Sequence, residues 1–174
     1  KLPATYKYYA APKLDKEAFL LAEITDYGKY NLLKGEANII FEGMYVGKTV
    51  VNPNQTSDTL NLSLGRDKKV SIKREKVVDK SGTKFLSSKK VQIFTYDITI
   101  RNNKKEAISM KLEDQYPLSI YKESEIELTQ KDGAKANAEA GILTWDLDLK
   151  ANETMKVRMS YTIKYSKNKI IDNL

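Results

Sequence analysis

Much of the second half of the chain alternates apolar and polar residues with a period of two. Phe94, Tyr96, Ile98 and Ile100 fall on one side, and Thr95, Asp97, Thr99 and Arg101 on the other. Successive side chains of a strand point to opposite faces, so this pattern fits a strand that buries one face and defeats a helix, whose apolar stripe needs a period near 3.6. Beyond the polar break Asn102-Asn103-Lys104-Lys105-Glu106 the alternation resumes, with Ile108, Met110 and Leu112 facing in and Ser109, Lys111 and Glu113 facing out. Because Asn tolerates positive φ, the break predicts a hairpin. Two more such runs follow. Leu143, Trp145, Leu147 and Leu149 oppose Thr144, Asp146 and Asp148, and after a turn at Lys150-Ala151-Asn152-Glu153, Met155, Val157, Met159, Tyr161, Ile163 and Tyr165 alternate with polar neighbours. Burying one such side chain contributes about 1.5 to 3 kcal/mol, enough for these strands to offset much of the cost of ordering the chain.

The first half is β-prone but less regular. Asn38 to Val46, Leu60 to Leu64 and Val70 to Glu75 read as short strands, the last two joined by a predicted hairpin at Gly65-Arg66-Asp67-Lys68-Lys69. Leu14 to Ile24 places Leu14, Ala18, Leu21 and Ala22 on a helical face, yet a short apolar run is not decided by period alone, and a strand is the reading preferred. Residues 79–90 are polar and predict an exposed connection. The expected fold is therefore all-β, an antiparallel β-sandwich whose second half is immunoglobulin-like and whose first half is an additional β lobe packed against it. Residues 1–174 would form one module, with lobes at 14–78 and 91–166. Trp145 would be the core aromatic of the second half, with no disulfide beneath it.

The chain has 174 residues with neither cysteine nor histidine. Disulfides, thiolate nucleophiles, Ser-His-Asp and Cys-His arrangements and histidine-based zinc sites cannot be built from it. No apolar run approaches the roughly 20 residues that cross a bilayer, so no transmembrane segment is expected in this chain, and Lys1 opens no secretory signal. The formal charge of +7 is concentrated. Residues 66–105 hold 13 Lys and Arg against four acids, and the remainder is slightly acidic.

Several runs resemble one family. Tyr8-Tyr9-Ala10-Ala11-Pro12-Lys13-Leu14, Ala18-Phe19-Leu20-Leu21-Ala22, Leu32-Leu33-Lys34-Gly35-Glu36-Ala37, Tyr45-Val46-Gly47-Lys48, Leu62-Ser63-Leu64-Gly65-Arg66-Asp67, Asp114-Gln115-Tyr116-Pro117, Gly141-Ile142-Leu143-Thr144-Trp145 and Tyr161-Thr162-Ile163-Lys164-Tyr165 together are similar to the C-terminal domain of bacterial mucoidy-inhibitor-A-like proteins. The resemblance spans nearly the whole chain. Tyr27 stands where that pattern has Trp, and Lys34 where it has Pro. The function of that domain is unknown, so the resemblance carries over no catalytic residue. It implies an upstream leader, a smaller N-terminal β domain and a helical connector in the full-length protein, and a periplasmic or cell-surface location.

Candidate sites follow from residue chemistry, each beside a structural explanation. Asp114, Gln115, Tyr116 and Pro117 end a strand and enter a proline turn, where a scaffold aims side chains at a ligand; equally, Asp114 can cap turn amides and Pro117 fix the exit angle. Lys68, Lys69, Lys73, Arg74 and Lys76 form a candidate basic patch for an anionic partner, or a solvated face that discourages sheet aggregation. No zinc-finger, helix-turn-helix or RNA-binding strand signature accompanies them, so no nucleic acid is expected. Asp146 and Asp148 share a strand face at a separation compatible with glycoside hydrolysis or calcium, although acids also fill the solvated side of such a strand. Tyr6, Tyr8, Tyr9, Tyr27, Tyr30 and Tyr45 suggest a glycan platform or ordinary half-buried strand positions. Ser-x-x-Lys recurs from Ser81, Ser87, Ser119 and Ser166, as chance provides in a Lys-rich chain.

These readings predict a non-enzymatic binding or assembly module of the bacterial cell envelope, with a protein or glycan partner, no cofactor, no metal and no catalytic residue. A carbohydrate-binding module and a carboxylate-dependent glycosidase or calcium-binding module are the two alternatives.

Overall fold

The computed structural model describes residues 4–41, 44–52, 59–86, 88–118 and 124–166. Its strands are β1 (Thr5–Ala10), β2 (Glu17–Thr25), β3 (Gly35–Phe41), β4 (Met44–Val51), β5 (Thr59–Lys76), β6 (Gly82–Leu86), β7 (Lys89–Asn102), β8 (Ile108–Gln115), β9 (Glu125–Gln130), β10 (Lys135–Asn137), β11 (Ile142–Leu149) and β12 (Thr154–Ser166), with short 3-10 turns at Tyr27–Tyr30 and Val78–Lys80. The all-β class read from the alternation is the observed one. Leu14 to Ile24 resolves toward strand, because the alternate residues Ala18, Leu20, Ala22 and Ile24 of β2 are the buried ones.

A 10-stranded sheet runs β10-β11-β8-β1-β2-β5-β7-β12-β9, with β6 alongside β7, and β3 and β4 form a separate two-stranded sheet. The large sheet is mixed. β1 runs parallel to β8, with Tyr8 opposite Met110 and Ala10 opposite Leu112, which corrects the purely antiparallel expectation. A parallel pair needs a long crossover, and the chain between β1 and β8 supplies it by passing through β2, β5 and β7.

β5 makes the sheet fold over on itself. It is one strand of 18 residues rather than the two strands and hairpin predicted at Gly65-Arg66-Asp67-Lys68-Lys69. The register against β2 shifts twice, between Leu21 and Phe19 and between Phe19 and Glu17, and Gly65 takes a φ of 99°. The extra residues are therefore absorbed as bulges, which bend a strand without reversing it. Past the bend, Val70 to Lys76 pair with β7. Within 79–90, Gly82–Leu86 is exposed as expected but also paired. β6 lies against the start of β7, Gly82 opposite Ile93 and Leu86 opposite Lys89, so a polar stretch read as connection is a β-hairpin.

The connections after β7 and β11, one read as a hairpin and the other as a turn, join different parts of the sheet. β7 pairs with β5, β6 and β12 and β8 with β1 and β11, so residues 103–107 arch from one layer to the other, and residues 150–153 make the same passage between β11 and β12. Asn102, fully buried at the root of both arches, makes this crossing possible. Its side-chain amide donates to the carbonyls of Glu106 and Lys150 at 2.9 Å each, and its carbonyl oxygen accepts from the Lys104 amide at 3.0 Å.

The core lies between the layers. Ile98 and Ile100 of β7, Met110 and Leu112 of β8, Leu143 and Trp145 of β11, and Val157, Met159 and Ile163 of β12 belong to one buried cluster. Trp145 is the core aromatic anticipated, 2% exposed. Its indole N–H donates to the carbonyls of Lys131 and Asp132 at 3.0 and 3.2 Å, while the Asp132 carboxylate accepts the Arg158 backbone N–H at 2.8 Å, so the turn after β9 is tied to β11 and β12 together. The β3–β4 hairpin is anchored by Ile39, which joins the main cluster, and by Val51, which packs on a smaller one of Ile24, Tyr27 and Leu60.

Candidate functional site

Two candidate features that lie 40 residues apart in sequence meet at one end of the core. Asp114, at the end of β8, occupies the position of the inward series Ile108, Met110, Leu112, and its side chain is fully buried. Arg74 of β5 holds the same parity as Val70 and Ile72, and its guanidinium Nε donates to Asp114 Oδ2 at 2.7 Å. The second oxygen, Oδ1, accepts the Gln115 amide at 2.7 Å. Arg74 also lies flat on Tyr96, its Cζ 3.7 Å from the ring centroid, a cation–π contact within a half-desolvated setting. Tyr96 stacks on Tyr161 at 6.4 Å, Tyr161 on Phe94 at 5.2 Å, and Lys76 caps Phe94 at 4.9 Å. Burial first, and then the neighbouring Tyr96, push the Tyr161 hydroxyl well above the usual tyrosine range. The result is a polar and aromatic seam between the layers, in which every charge named has an opposite charge or a ring against it.

The outward neighbours of Asp114 wall a cavity of about 190 Å³ at the ends of β1, β8 and β11, beside Tyr9, Ala11, Leu14 and Ile142. Glu113 accepts the Tyr9 hydroxyl at 2.9 Å and the Lys111 ammonium at 2.8 Å. Burial and then the Glu113 carboxylate raise the Tyr9 phenol. Lys13 Nζ donates to the Gln115 carbonyl at 3.2 Å, and Gln115 Nε2 to the Ala140 carbonyl at 3.3 Å. Tyr116 is buried, and its backbone N–H donates to the Gly141 carbonyl at 2.9 Å. Gly141 has a φ of 66°, and a Cβ there would stand 2.5 Å from the Tyr116 carbonyl. Pro117 is partly exposed just beyond. Of the four loop candidates, Asp114 and Tyr116 thus point into the fold and Gln115 outward to solvent.

The candidate basic patch divides between two faces. Arg74 and Lys76 lie on the aromatic side of β5, whereas Lys73 lies on the other side and pairs with Glu75 at 2.7 Å. Lys68 and Lys69 sit in the bulge, where the Lys69 amide donates to Asp67 Oδ1 at 2.9 Å. Strand parity separates residues that are neighbours in sequence, and a single cationic surface does not result from these five.

The outer face of β11 carries Asp146 and Asp148 as expected, but each has its own partner. Asp146 is bridged by Lys135 at 2.9 Å and Lys7 at 3.4 Å, which hold its carboxyl below the usual range, and Asp148 accepts the Ser109 hydroxyl at 2.6 Å. Tyr8 and Tyr27 are buried, and the exposed rings of Tyr6, Tyr30 and Tyr45 sit on β1, the turn after β2 and β4. Of the Ser-x-x-Lys motifs, those from Ser87, Ser119 and Ser166 extend outside the described residues; Ser81 accepts the Thr95 amide at 3.0 Å.

Two polar centres were not anticipated. Tyr8 donates to Asp67 Oδ2 at 2.6 Å, and Lys104 Nζ donates to the Tyr8 oxygen at 2.9 Å and bridges Asp67 at 3.3 Å. Burial, then the Asp67 bond, push Tyr8 up to about 12. Burial also works to raise Asp67 and to lower Lys104, but the hydrogen bonds and opposite charges of the trio outweigh it, so Asp67 is lowered and Lys104 raised. On the outer face of β7, Asp97 receives Arg158 through two bonds of 2.6 and 2.8 Å and is lowered chiefly by them. Inward parity of Asp114 and Arg74 was the available signal for the seam; Tyr8, Asp67 and Lys104 come from separate elements and offered none.

Among the described residues no three carboxylates gather as a metal site, and no helix is long and apolar enough to cross a membrane. The chain belongs to the family described as Domain of unknown function (DUF4139), whose model matches residues 8–167. No curated protein matches it.

Proposed function

We propose that this member of a family of unknown function is a non-enzymatic module that binds another protein, with the β3–β4 hairpin as its contact surface. The observation that carries this reading is the outward face of that hairpin. Ile40 stands opposite Tyr45, and Glu36 opposite Val50, so Ile40, Tyr45 and Val50 share one face and are 69%, 62% and 66% exposed. The register shift between Ile39 and Ile40 is what turns Tyr45 to that side. Ile40 and Tyr45 form one exposed apolar pair, and Val50 stands two residue pairs along beyond Asn38 and the Lys48–Glu36 ion pair, so the face mixes apolar and polar groups as protein interfaces do.

The non-enzymatic part of the reading is supported by a sequence without histidine or cysteine and by the ion pairs that already engage Asp67, Asp97 and Asp146. A place in the bacterial envelope rests on the resemblance to mucoidy-inhibitor-A-like proteins, and an immunoglobulin-like description of the second half rests on its short alternating strands around the buried Trp145. The expected result of pull-down from envelope extracts with the full-length protein is a set of bound proteins lost both on deletion of this domain and in the Ile40→Glu/Val50→Glu variant. Unchanged capture, or turnover in a hydrolase screen that Asp146→Ala abolishes, overturns the reading.

A further inference from the structure

We propose that the cavity at the ends of β1, β8 and β11 binds the C-terminal residue of a peptide, taking an apolar side chain inside and the terminal carboxylate on Lys13. This deepens the protein-binding reading and rests on it, but it concerns a different surface from the β3–β4 hairpin. The interior suits an apolar group. Ala11, Leu14, Ile142 and the Tyr9 ring form its walls, Leu14 is 84% exposed at the rim, and the volume of about 190 Å³ exceeds the roughly 150 Å³ that holds a benzene ring in a protein interior.

The polar rim selects the charge. Glu113 is already neutralised by the Tyr9 hydroxyl and the Lys111 ammonium, so it leaves no strong acceptor for an incoming cation. Lys13 is the opposite case. Its ammonium has three protons and gives one to the Gln115 carbonyl, a neutral acceptor, so the cation at the mouth still seeks an anion. A sugar would need several matched donors and acceptors across this space, whereas Tyr9 and Glu113 already bond each other, Asp114 is held by Arg74 and Gln115 Nε2 by the Ala140 carbonyl. A carboxylate directly attached to an apolar residue, which is the end of a polypeptide, satisfies wall and rim together. Capture of a C-terminal carboxylate is also an established mode of peptide recognition.

The probes are the peptide Ser-Gly-Ser-Leu with a free C-terminus, the same peptide as its C-terminal amide, and N-acetylglucosamine, each titrated into the 174-residue chain while backbone amide resonances are followed by NMR. The free-acid peptide is expected to shift Ala11, Leu14 and Ile142 saturably with a Kd under about 1 mM, and amidation or Lys13→Met to weaken binding about tenfold. Lys13→Met keeps the length and apolar stem of the side chain, and an unchanged spectrum elsewhere shows that the fold is intact. The proposal is overturned if about 10 mM peptide shifts nothing at the cavity, if acid and amide bind alike, or if N-acetylglucosamine shifts these resonances and the peptide does not. A negative titration leaves the hairpin pull-down untouched, and a negative pull-down leaves the titration untouched, so the two failures are separable.

Discussion

Asp114 and Arg74 illustrate how a pair of opposite charges can be both a cost and a constraint. Each would be expensive alone between two layers, and the carboxylate, with none of its side chain exposed, is the more exposed to that penalty if its partner is lost. Arg74 keeps 17% exposure and a ring beneath it, so the stranded cation is partly solvated in the reverse case. Arg74→Met is therefore expected to destabilise by about 3 kcal/mol or more, Asp114→Ala by somewhat less, and the double variant Arg74→Met/Asp114→Leu to recover most of the loss, since an apolar pair of similar volume replaces a desolvated ionic one. Urea unfolding midpoints at constant m report this directly, and additive losses in the double variant would show that the two side chains do not act as a pair. Gly141 is the second sensitive residue. With its φ of 66° and a Cβ position 2.5 Å from the Tyr116 carbonyl, Gly141→Ala is expected to cost more than about 1 kcal/mol and to shift the amide resonances of 114–117. The pair was half legible in the sequence. Inward parity of a charged residue at the end of each of two strands marks both as unusual, but parity does not say that β5 and β8 face each other, so Asp114 was read with its loop and Arg74 with its lysine neighbours.

At the level of elements, alternation identifies strands far better than it identifies their partners. The runs at Phe94–Arg101, Ile108–Glu113, Leu143–Leu149 and Met155–Tyr165 are all strands; those at Ile108–Glu113 and Leu143–Leu149 bury the face their sequence implies, whereas Thr95 and Asp97 in β7 and Ser160 in β12 are buried on the face read as outward. Alternation reports burial, and burial looks the same whether the next strand lies beside its predecessor or in the opposite layer. The short polar breaks at 102–106 and 150–153 accordingly predict a hairpin and a turn, although both are arches. What distinguishes them is Asn102, a buried amide whose donors and acceptor hold three backbone groups of the two connections at once. Asn102→Leu leaves two carbonyls and one amide without partners and is expected to cost about 3 kcal/mol, while Asn102→Asp is expected to be at least as harmful near neutral pH, because a carboxylate would face the Glu106 and Lys150 carbonyls with nothing to donate. Hydrogen exchange at 103–107 and 150–153 should accelerate together in both variants; acceleration of one connection alone would separate the arches and refute the shared root.

For the whole molecule, the distribution of perturbed groups sets a pH range of stability. Asp67 and Asp97 have folded-state carboxyls held below the ordinary value, so their contribution is present above the unfolded value near pH 4 and is lost as pH falls through the depressed folded values. Tyr8, pushed up to about 12, and Tyr161, raised further by burial, act at the other end. An unfolded tyrosine ionises near pH 10 while the folded ones stay neutral, so their contribution is complete below about pH 10 and is lost as pH rises toward the folded values. Lys104, also raised, has the same sign, because its ammonium is favoured in the Asp67–Tyr8 trio and gives up that advantage only under alkali. Between these limits the chain contains no histidine, the side chain whose ordinary range would put a charge change near neutrality. The melting temperature is therefore expected to be level from about pH 5 to 9, to fall on both sides, and to fall less steeply under alkali in Tyr8→Phe, which removes one of the ionising phenols. A sigmoidal step in melting temperature between about pH 6 and 8 would contradict this, since it would require a carboxyl raised by burial into that range, whereas Asp67 and Asp97 are both lowered despite burial, the first by the Tyr8 hydroxyl and Lys104 and the second by Arg158.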